Sequence, residues 1–104
     1  MKPILFILQM PFTDHDVEDT DNTTWFCSHC ALIEGALAVN PHWNDHIDLR
    51  RISFARPRVE LVDLLGEENQ WLPVLILDKD NTLTDPLAIT AYLAKSFGGA
   101  APHP

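Results

Sequence analysis

Basic side chains are scarce in this chain: seven Lys and Arg stand against fifteen Asp and Glu, a formal charge of -8 at pH 7. Nucleic-acid binding rests largely on cations meeting phosphates, so this balance argues against a polyanion partner. Cysteine is scarcer still, at two residues in 104. Both lie within four positions of each other, so they cannot cross-link distant segments, and the chain depends on its core. With 46% hydrophobic residues that is feasible, and residues 1–104 read as one domain. No apolar run approaches membrane-spanning length, and no membrane partner is expected. Lys2 precedes a short apolar run, Ile4 to Leu8, without the longer core or small-residue cleavage site of a signal peptide. A reducing cytoplasm is therefore the expected compartment, where Cys-x-x-Cys is more often catalytic or metal-binding than a permanent bridge. There is no internal repeat and no linker.

What the chain does have is Trp25-Phe26-Cys27-Ser28-His29-Cys30, leading directly into an apolar helix pattern. Two thiols at this spacing can close a small disulfide ring. The helix start is expected to expose Cys27 at the first turn and to leave Cys30 half buried behind it. Partial positive charge at a helix N-terminus favours a thiolate at Cys27, and His29, when protonated, acts the same way. An inert buried pair and half of a zinc site are the competing readings.

In chain order, Pro3 to Gln9 is a nearly continuous apolar run expected to form a strand covered on both faces. A long connection spanning 10–25 follows, carrying Asp14, Asp16, Glu18, Asp19 and Asp21, and reads as a solvated acidic loop. It lacks the glycine and terminal glutamate of a calcium loop. Asn22-Thr23-Thr24 matches a glycosylation sequon without meaning in the cytoplasm. Ser28 to Val39 is predicted as a buried helix ended by Asn40-Pro41. After a loop with His42, Trp43 and His46, Ile47 to Ile52 reads as a second strand, whose Asp48, Arg50 and Arg51 suggest a sheet edge. A second helix is expected to start at Pro57, to bury Val59, Val62, and Leu64 or Leu65, and to stop at Gly66. Trp71 to Leu77, a turn at 78–81 and Thr82 to Thr84 make a hairpin. Asp85 caps a last helix that opens with Pro86, has Leu87, Ile89, Ala91, Leu93 and Phe97 on its buried side, and ends at Gly98-Gly99. The order β-α-β-α-β-β-α predicts an α/β fold with a central mixed four-stranded sheet flanked by helices.

Two stretches carry a family resemblance: Cys27-Ser28-His29-Cys30 after the first strand, and Leu72-Pro73-Val74-Leu75 through Leu83-Thr84-Asp85 to Ala88-Ile89 and Tyr92-Leu93. The chain resembles a thioredoxin-fold domain, closest to glutaredoxins and the N-terminal domain of glutathione transferases. With Ile33-Glu34-Gly35, Arg56-Pro57-Arg58, residues 66–70 and Pro102-His103-Pro104, it is similar as a whole to a family of small bacterial thioredoxin-like proteins of unknown function. The resemblance implies that Pro73 is a cis-proline facing the dithiol and that Leu72 offers its backbone to an extended thiol peptide such as glutathione. It places Thr84 and Asp85 at the γ-glutamyl end, although Asp85 serves equally as a helix cap. Arg56 or Arg58 would take the glycyl carboxylate, a pairing that suits a guanidinium. Alternatively, these arginines with Arg50 and Arg51 neutralise the acidic loop or Glu67-Glu68. No helical second domain is read in these residues, so a complete transferase is not expected.

The function that follows is a thiol-disulfide oxidoreductase without a resident cofactor, acting on glutathione or a protein disulfide, with Cys27 attacking and Cys30 resolving. The alternative is a non-enzymatic module, facing a protein partner or binding zinc through Cys27, Cys30, His42 and His46. Their order approaches that of a zinc finger, but the spacing is one residue short, and Asn40-Pro41 breaks the helix before the histidines.

Overall fold

A computed structural model describes residues 2–17 and 23–104. The acidic residues Glu18, Asp19 and Asp21 and the sequon asparagine Asn22 lie outside the described residues. The elements run β1 (Ile4–Leu8), α1 (Ser28–Val39), a 3₁₀ turn (Pro41–Asp45), β2 (Asp48–Ile52), α2 (Val59–Leu65), β3 (Val74–Asp78), β4 (Asn81–Leu83) and α3 (Pro86–Phe97). The fold is the expected α/β arrangement. Its four-stranded sheet has the order β2-β1-β3-β4, with β1 parallel to β2 and antiparallel to β3, and β3 antiparallel to β4. The charged strand β2 lies at an edge, as its Asp48 and Arg50 suggested.

Side chains alternate across a strand, and β1 shows what this does to a continuous apolar run. Leu5 and Ile7 pack with Cys30, Ile33 and Leu37 of α1 and Ile89 and Leu93 of α3, while Phe6 packs on the other face with Leu61 of α2, Val74 and Ile76. The sheet is therefore covered on both sides, which is why β1 tolerates no polar residue. No helix among the described residues is long and apolar enough to cross a membrane.

Several faces differ from expectation. α1 is apolar nearly all round, yet only Cys30, Ile33 and Leu37 are buried, leaving Leu32 and Val39 in the open. Residues 33 and 37 are one helical turn apart, so a single stripe reaches the sheet. α2 starts at Val59 rather than Pro57, because the Arg58 carbonyl accepts the first helical hydrogen bond, from Val62 N–H at 3.0 Å. Its buried residue is Leu61, and Val59 and Leu64 face solvent. In α3 the buried side is Pro86, Ile89, Thr90 and Leu93; Leu87 and Ala91 lie on the opposite face. The segment after α1 is a 3₁₀ turn that buries Trp43 completely, where a plain loop was expected. β3 begins at Val74, three residues later than expected, and Trp71 stays exposed.

The C-terminal tail is tied to the end of α1. Asn40 is buried; its Nδ2 donates to the Ala36 and Ala100 carbonyls at 3.0 and 3.1 Å, and its Oδ1 accepts from Ala100 N–H at 2.7 Å. Trp43 Nε1 donates to the Gly98 carbonyl at 2.7 Å, which closes the end of α3 onto the 3₁₀ turn. Gly99 adopts φ +105°, and a Cβ there would collide with the Asn40 side chain. Asn40→Ala strips both ends of this clamp. It should lower stability by about 2 kcal/mol, seen as a reduced urea midpoint at an unchanged m-value.

Candidate functional site

The chain leaves the sheet at Leu8, and the long insertion does not carry the cysteines away from it. Gln9 N–H donates to the Ile52 carbonyl at 2.8 Å, holding the end of β1 to β2. Phe12 and Trp25 then form an antiparallel bridge, with N–H to carbonyl distances of 3.0 and 2.7 Å, which closes the base of the insertion. Cys27 returns beside the end of β1, where its N–H donates to Met10 Sδ at 3.2 Å.

Cys27 is the N-cap of α1, in extended conformation, and its Sγ accepts the Cys30 N–H at 3.4 Å. The sulfur thus occupies the place usually held by an Asp or Ser oxygen at a helix start. Cys30 lies one turn on, fully buried, and its Sγ accepts the Leu8 N–H at 3.5 Å. The two cysteines approach to 3.6 Å without being bonded, and both are free thiols. Each is less exposed than the sequence suggested: Cys27 is half-buried and Cys30 has no accessible surface. Burial, opposed by the Leu8 N–H and reinforced by the side-chain hydrogen bond with Cys27, pushes the Cys30 thiol up to about 12. His29 is exposed and makes no hydrogen bond or ion pair among the described residues.

Four arginines were candidates beside this pair, and the structure divides them. Arg50 bonds Asp48 at 2.7 Å and Glu60 at 3.1 Å, and Arg51 makes a two-pronged pair with Glu34 of α1 at 2.7 and 2.8 Å. They pair with those carboxylates rather than with Glu67-Glu68. Arg56 is exposed and has no carboxylate partner among the described residues. It lines an open groove of about 910 Å³ with Phe12, Asp14, His15, Asp16 and Phe54. Arg58, the other candidate for a substrate carboxylate, is only 7% exposed. Its Nε and Nη2 donate to the Phe54 carbonyl at 3.3 and 2.9 Å, and its Nη1 donates to the Gln70 carbonyl at 2.6 Å. The guanidinium sits over the Phe54 ring at 5.5 Å, and Phe54 stacks on Phe12 at 4.5 Å. Burial and then Arg56 push its guanidinium below the ordinary arginine value, while Cys30 and Cys27 act in the opposite direction.

The Leu72–Pro73 peptide is cis, with Pro73 buried. Leu72 is half-buried against the same cluster as Cys27 and Cys30, and its backbone N–H and carbonyl have no partner among the described residues. Asp85 caps α3, accepting the Ala88 N–H at 3.3 Å, and Thr84 lines a separate groove of about 380 Å³ with Trp71 and Lys79. His42 and His46 lie beyond the far end of α1, a helix roughly 18 Å long. His42 Nε2 meets the Gly98 carbonyl at 3.0 Å and His46 stacks on Phe97 at 4.7 Å. The finger-like set of Cys27, Cys30, His42 and His46 is thus not brought together, and no group of three or more metal-binding side chains occurs among the described residues.

Sequence reasoning passed over Met10, Phe12, Phe54 and Gln70. A signal was present in the Phe54-Ala55-Arg56-Pro57-Arg58 stretch, where an aromatic residue and two cations share a short connection.

The chain belongs to the family described as protein of unknown function (DUF3088), whose model matches residues 2–101. No curated protein and no solved structure matches it.

The raised Cys30 thiol makes a pH prediction with a definite sign. Above the ordinary cysteine value of about 8.5 the unfolded chain releases this proton while the native protein keeps it, so stability falls as pH rises from there toward about 12. The loss approaches 1.4 kcal/mol per pH unit, roughly, at its steepest. Urea unfolding of the reduced protein between about pH 8 and 10.5 should show this slope, and Cys30→Ala should flatten it.

Proposed function

We propose that the protein is a thiol-disulfide oxidoreductase of the thioredoxin-fold kind, working in a reducing cytoplasm with glutathione or a protein disulfide as its reaction partner. The observation that carries this reading is the asymmetry of the pair: a half-buried Cys27 capping a helix, 3.6 Å from a fully buried Cys30 that holds its proton. An inert structural pair has no reason to set one sulfur at the surface and the other beneath it. Parallel support comes from the half-buried Leu72, whose backbone groups have no partner among the described residues, and from the element order.

The reaction balances with no group other than thiols. Cys27 Sγ, as thiolate, attacks one sulfur of a disulfide, forms a mixed disulfide and expels the other sulfur as thiolate. Cys30 then attacks Cys27 Sγ, its proton passing to the departing substrate thiolate. The sulfurs close from 3.6 Å to roughly 2.05 Å, and the substrate leaves reduced by two electrons. Two reduced thiols of the glutathione class return the site to the dithiol. The unpaired backbone of Leu72 suits an extended peptide, which would add to it as a strand does to a sheet edge. Arg56, exposed on the groove and without a carboxylate partner among the described residues, suits a carboxylate on that peptide. Thr84, Asp85 and His29 remain secondary: Asp85 already serves as a cap, and the exposed His29 side chain makes no hydrogen bond or ion pair among the described residues.

Single-cysteine variants test the assignment. Cys30→Ser should keep rapid alkylation and trap mixed disulfides, while Cys27→Ser should lose both; equal rates in the two variants would refute the division of roles. Arg56→Ala should raise KM for glutathione-mixed disulfides several-fold with kcat nearly unchanged, and an unaltered KM would remove Arg56 from the substrate site.

A further inference from the structure

The open groove of about 910 Å³ carries charges of both signs that nothing answers. The insertion brings Asp14 and Asp16 to it, and the connection ahead of α2 brings Phe54 and Arg56. Neither carboxylate pairs with a cation and Arg56 pairs with no carboxylate among the described residues, although all three line the same space. Arg50 and Arg51, by contrast, are both paired. Opposite charges that share a groove yet stay beyond ion-pair distance leave room for a ligand between them. Where the two segments meet, the half-buried rings of Phe12 and Phe54 stack at 4.5 Å, and the Arg58 guanidinium covers Phe54 at 5.5 Å, so the aromatic surface is fixed in place. The groove also starts close to the reactive sulfur. Cys27 N–H donates to Met10 Sδ, and Phe12 is bridged to Trp25, so the groove residues Phe12 and Thr24 lie two residues from Met10 and three from Cys27 respectively. Three residues of chain span at most about 11 Å. Phe12, Phe54 and Cys27 all pack against the same core cluster, and Phe26, 70% exposed, adds apolar surface next to the sulfur.

We propose that this groove receives the polypeptide flanking the substrate cysteine, and that it selects a protein disulfide whose flanking segment carries an apolar side chain and a lysine or arginine. The proposal rests on the redox reading above and names its substrate class. An extended segment advances roughly 3.3 Å per residue, so from a cysteine engaged at Cys27 it enters the groove within about three or four residues. Its apolar side chain lies on the Phe12–Phe54 pair, and its basic side chain answers Asp14 and Asp16. Arg56, on the other segment, takes a carbonyl or carboxylate of the same peptide. Glutathione fits this groove poorly. It has no apolar side chain for the rings and more carboxylates than ammonium groups, while the groove opposes one cation to two carboxylates on a chain of net charge -8. An acidic segment is turned away by the same two aspartates, which is how like charge gives specificity. Glutathione keeps the part of reductant, for which a small thiol needs only the Cys27 sulfur and no groove.

The experiment measures kcat/KM of the full-length protein, with a thiol reductant, on synthetic peptides whose single cysteine is held in a disulfide with mercaptoethanol. One peptide has phenylalanine and arginine three and four residues from the cysteine on both sides; a second has glutamate for arginine, a third serine for phenylalanine, and glutathione disulfide is the fourth probe. The phenylalanine-arginine peptide should exceed its glutamate counterpart by about tenfold at low ionic strength. That ratio should shrink toward one as salt rises from roughly 0.02 to 0.5 M. In Asp14→Asn/Asp16→Asn the two rates should converge; asparagine retains the Oδ1 that accepts the Asp16 N–H, so the turn at this position is kept. The serine peptide and glutathione disulfide should each be several-fold slower than the phenylalanine-arginine peptide. Equal rates on the basic and acidic peptides, a preference that survives in the double variant, or glutathione disulfide turned over as fast as the best peptide overturns the proposal. Should the double variant fail to fold, the wild-type ratio decides, and one that does not change with salt overturns the proposal. If none of the disulfides is reduced, the redox reading falls, and calorimetric titration with serine-for-cysteine peptides judges the groove separately: tighter binding of the basic peptide supports it, and equal binding overturns it.

Discussion

The arrangement depends on one junction, where the end of β1 meets the start of α1 through sulfur. Cys30 is buried because α1 must lay a face on the sheet, and its Sγ takes the Leu8 N–H, the last backbone donor of β1. Cys27 is in turn held by Met10 Sδ and by the N–H of Cys30. Alanine at either position would leave a backbone donor without its acceptor or strip the cap, so these two sulfurs help to close the fold. Structure and chemistry are therefore not separable at this site, and the single-cysteine variants carry a stability cost alongside any loss of reactivity.

The connection between β2 and α2 supplies Phe54, Ala55 and Arg56 to the groove that Phe12 lines, and it is held through backbone more than through side chains. Arg58 reaches back to Phe54 within its own connection and across to Gln70, beyond the end of α2. Gln70 answers through both its carbonyl and its side chain, so the segments before and after α2 are laced together by one guanidinium. A lysine has a single point of charge and no planar fork, and it would satisfy only part of this geometry. Because α2 is seven residues long and buries chiefly Leu61, it has little packing of its own to fix its start. The arginine supplies that anchorage.

Much of this was legible in the sequence, and the misreadings share a cause. Element order, the edge position of β2, the Asp85 cap and the site of the dithiol follow from patterns that depend on local chemistry alone: apolar runs, N-caps, prolines and charge. Which face of a helix is buried does not. α1 and α3 carry apolar residues all round, so Leu32, Val39, Leu87 and Ala91 fit a helical period as well as Ile33, Leu37, Ile89 and Leu93 do, and only the sheet beneath chooses between them. The burial of Arg58 was not legible for a related reason. A cation in a proline-flanked connection looks like a surface residue, and its burial depends on two carbonyls that lie 4 and 12 residues away. The histidines His42 and His46 mimicked a ligand spacing, yet they serve the junction of the 3₁₀ turn with α3, a contact more than 50 residues distant in sequence.

The acidic insertion then raises a question of sign. Carboxylates near a thiolate oppose it, and Asp14 and Asp16 stand on the groove that Phe12 and Phe54 floor. An insertion of this size is cheap for the fold, since doubling a loop adds only about 0.6 kcal/mol of closure entropy and the Phe12–Trp25 bridge closes it early. Its described carboxylates Asp14 and Asp16 line an open groove, and in water unit charges at 4 Å interact by about 1 kcal/mol, which salt reduces further. A cation under the protein surface works against a lower effective dielectric, and the same separation is worth several times more. Arg58, only 7% exposed, therefore acts on its neighbours with little screening, while the charges along the open groove are damped by water and salt.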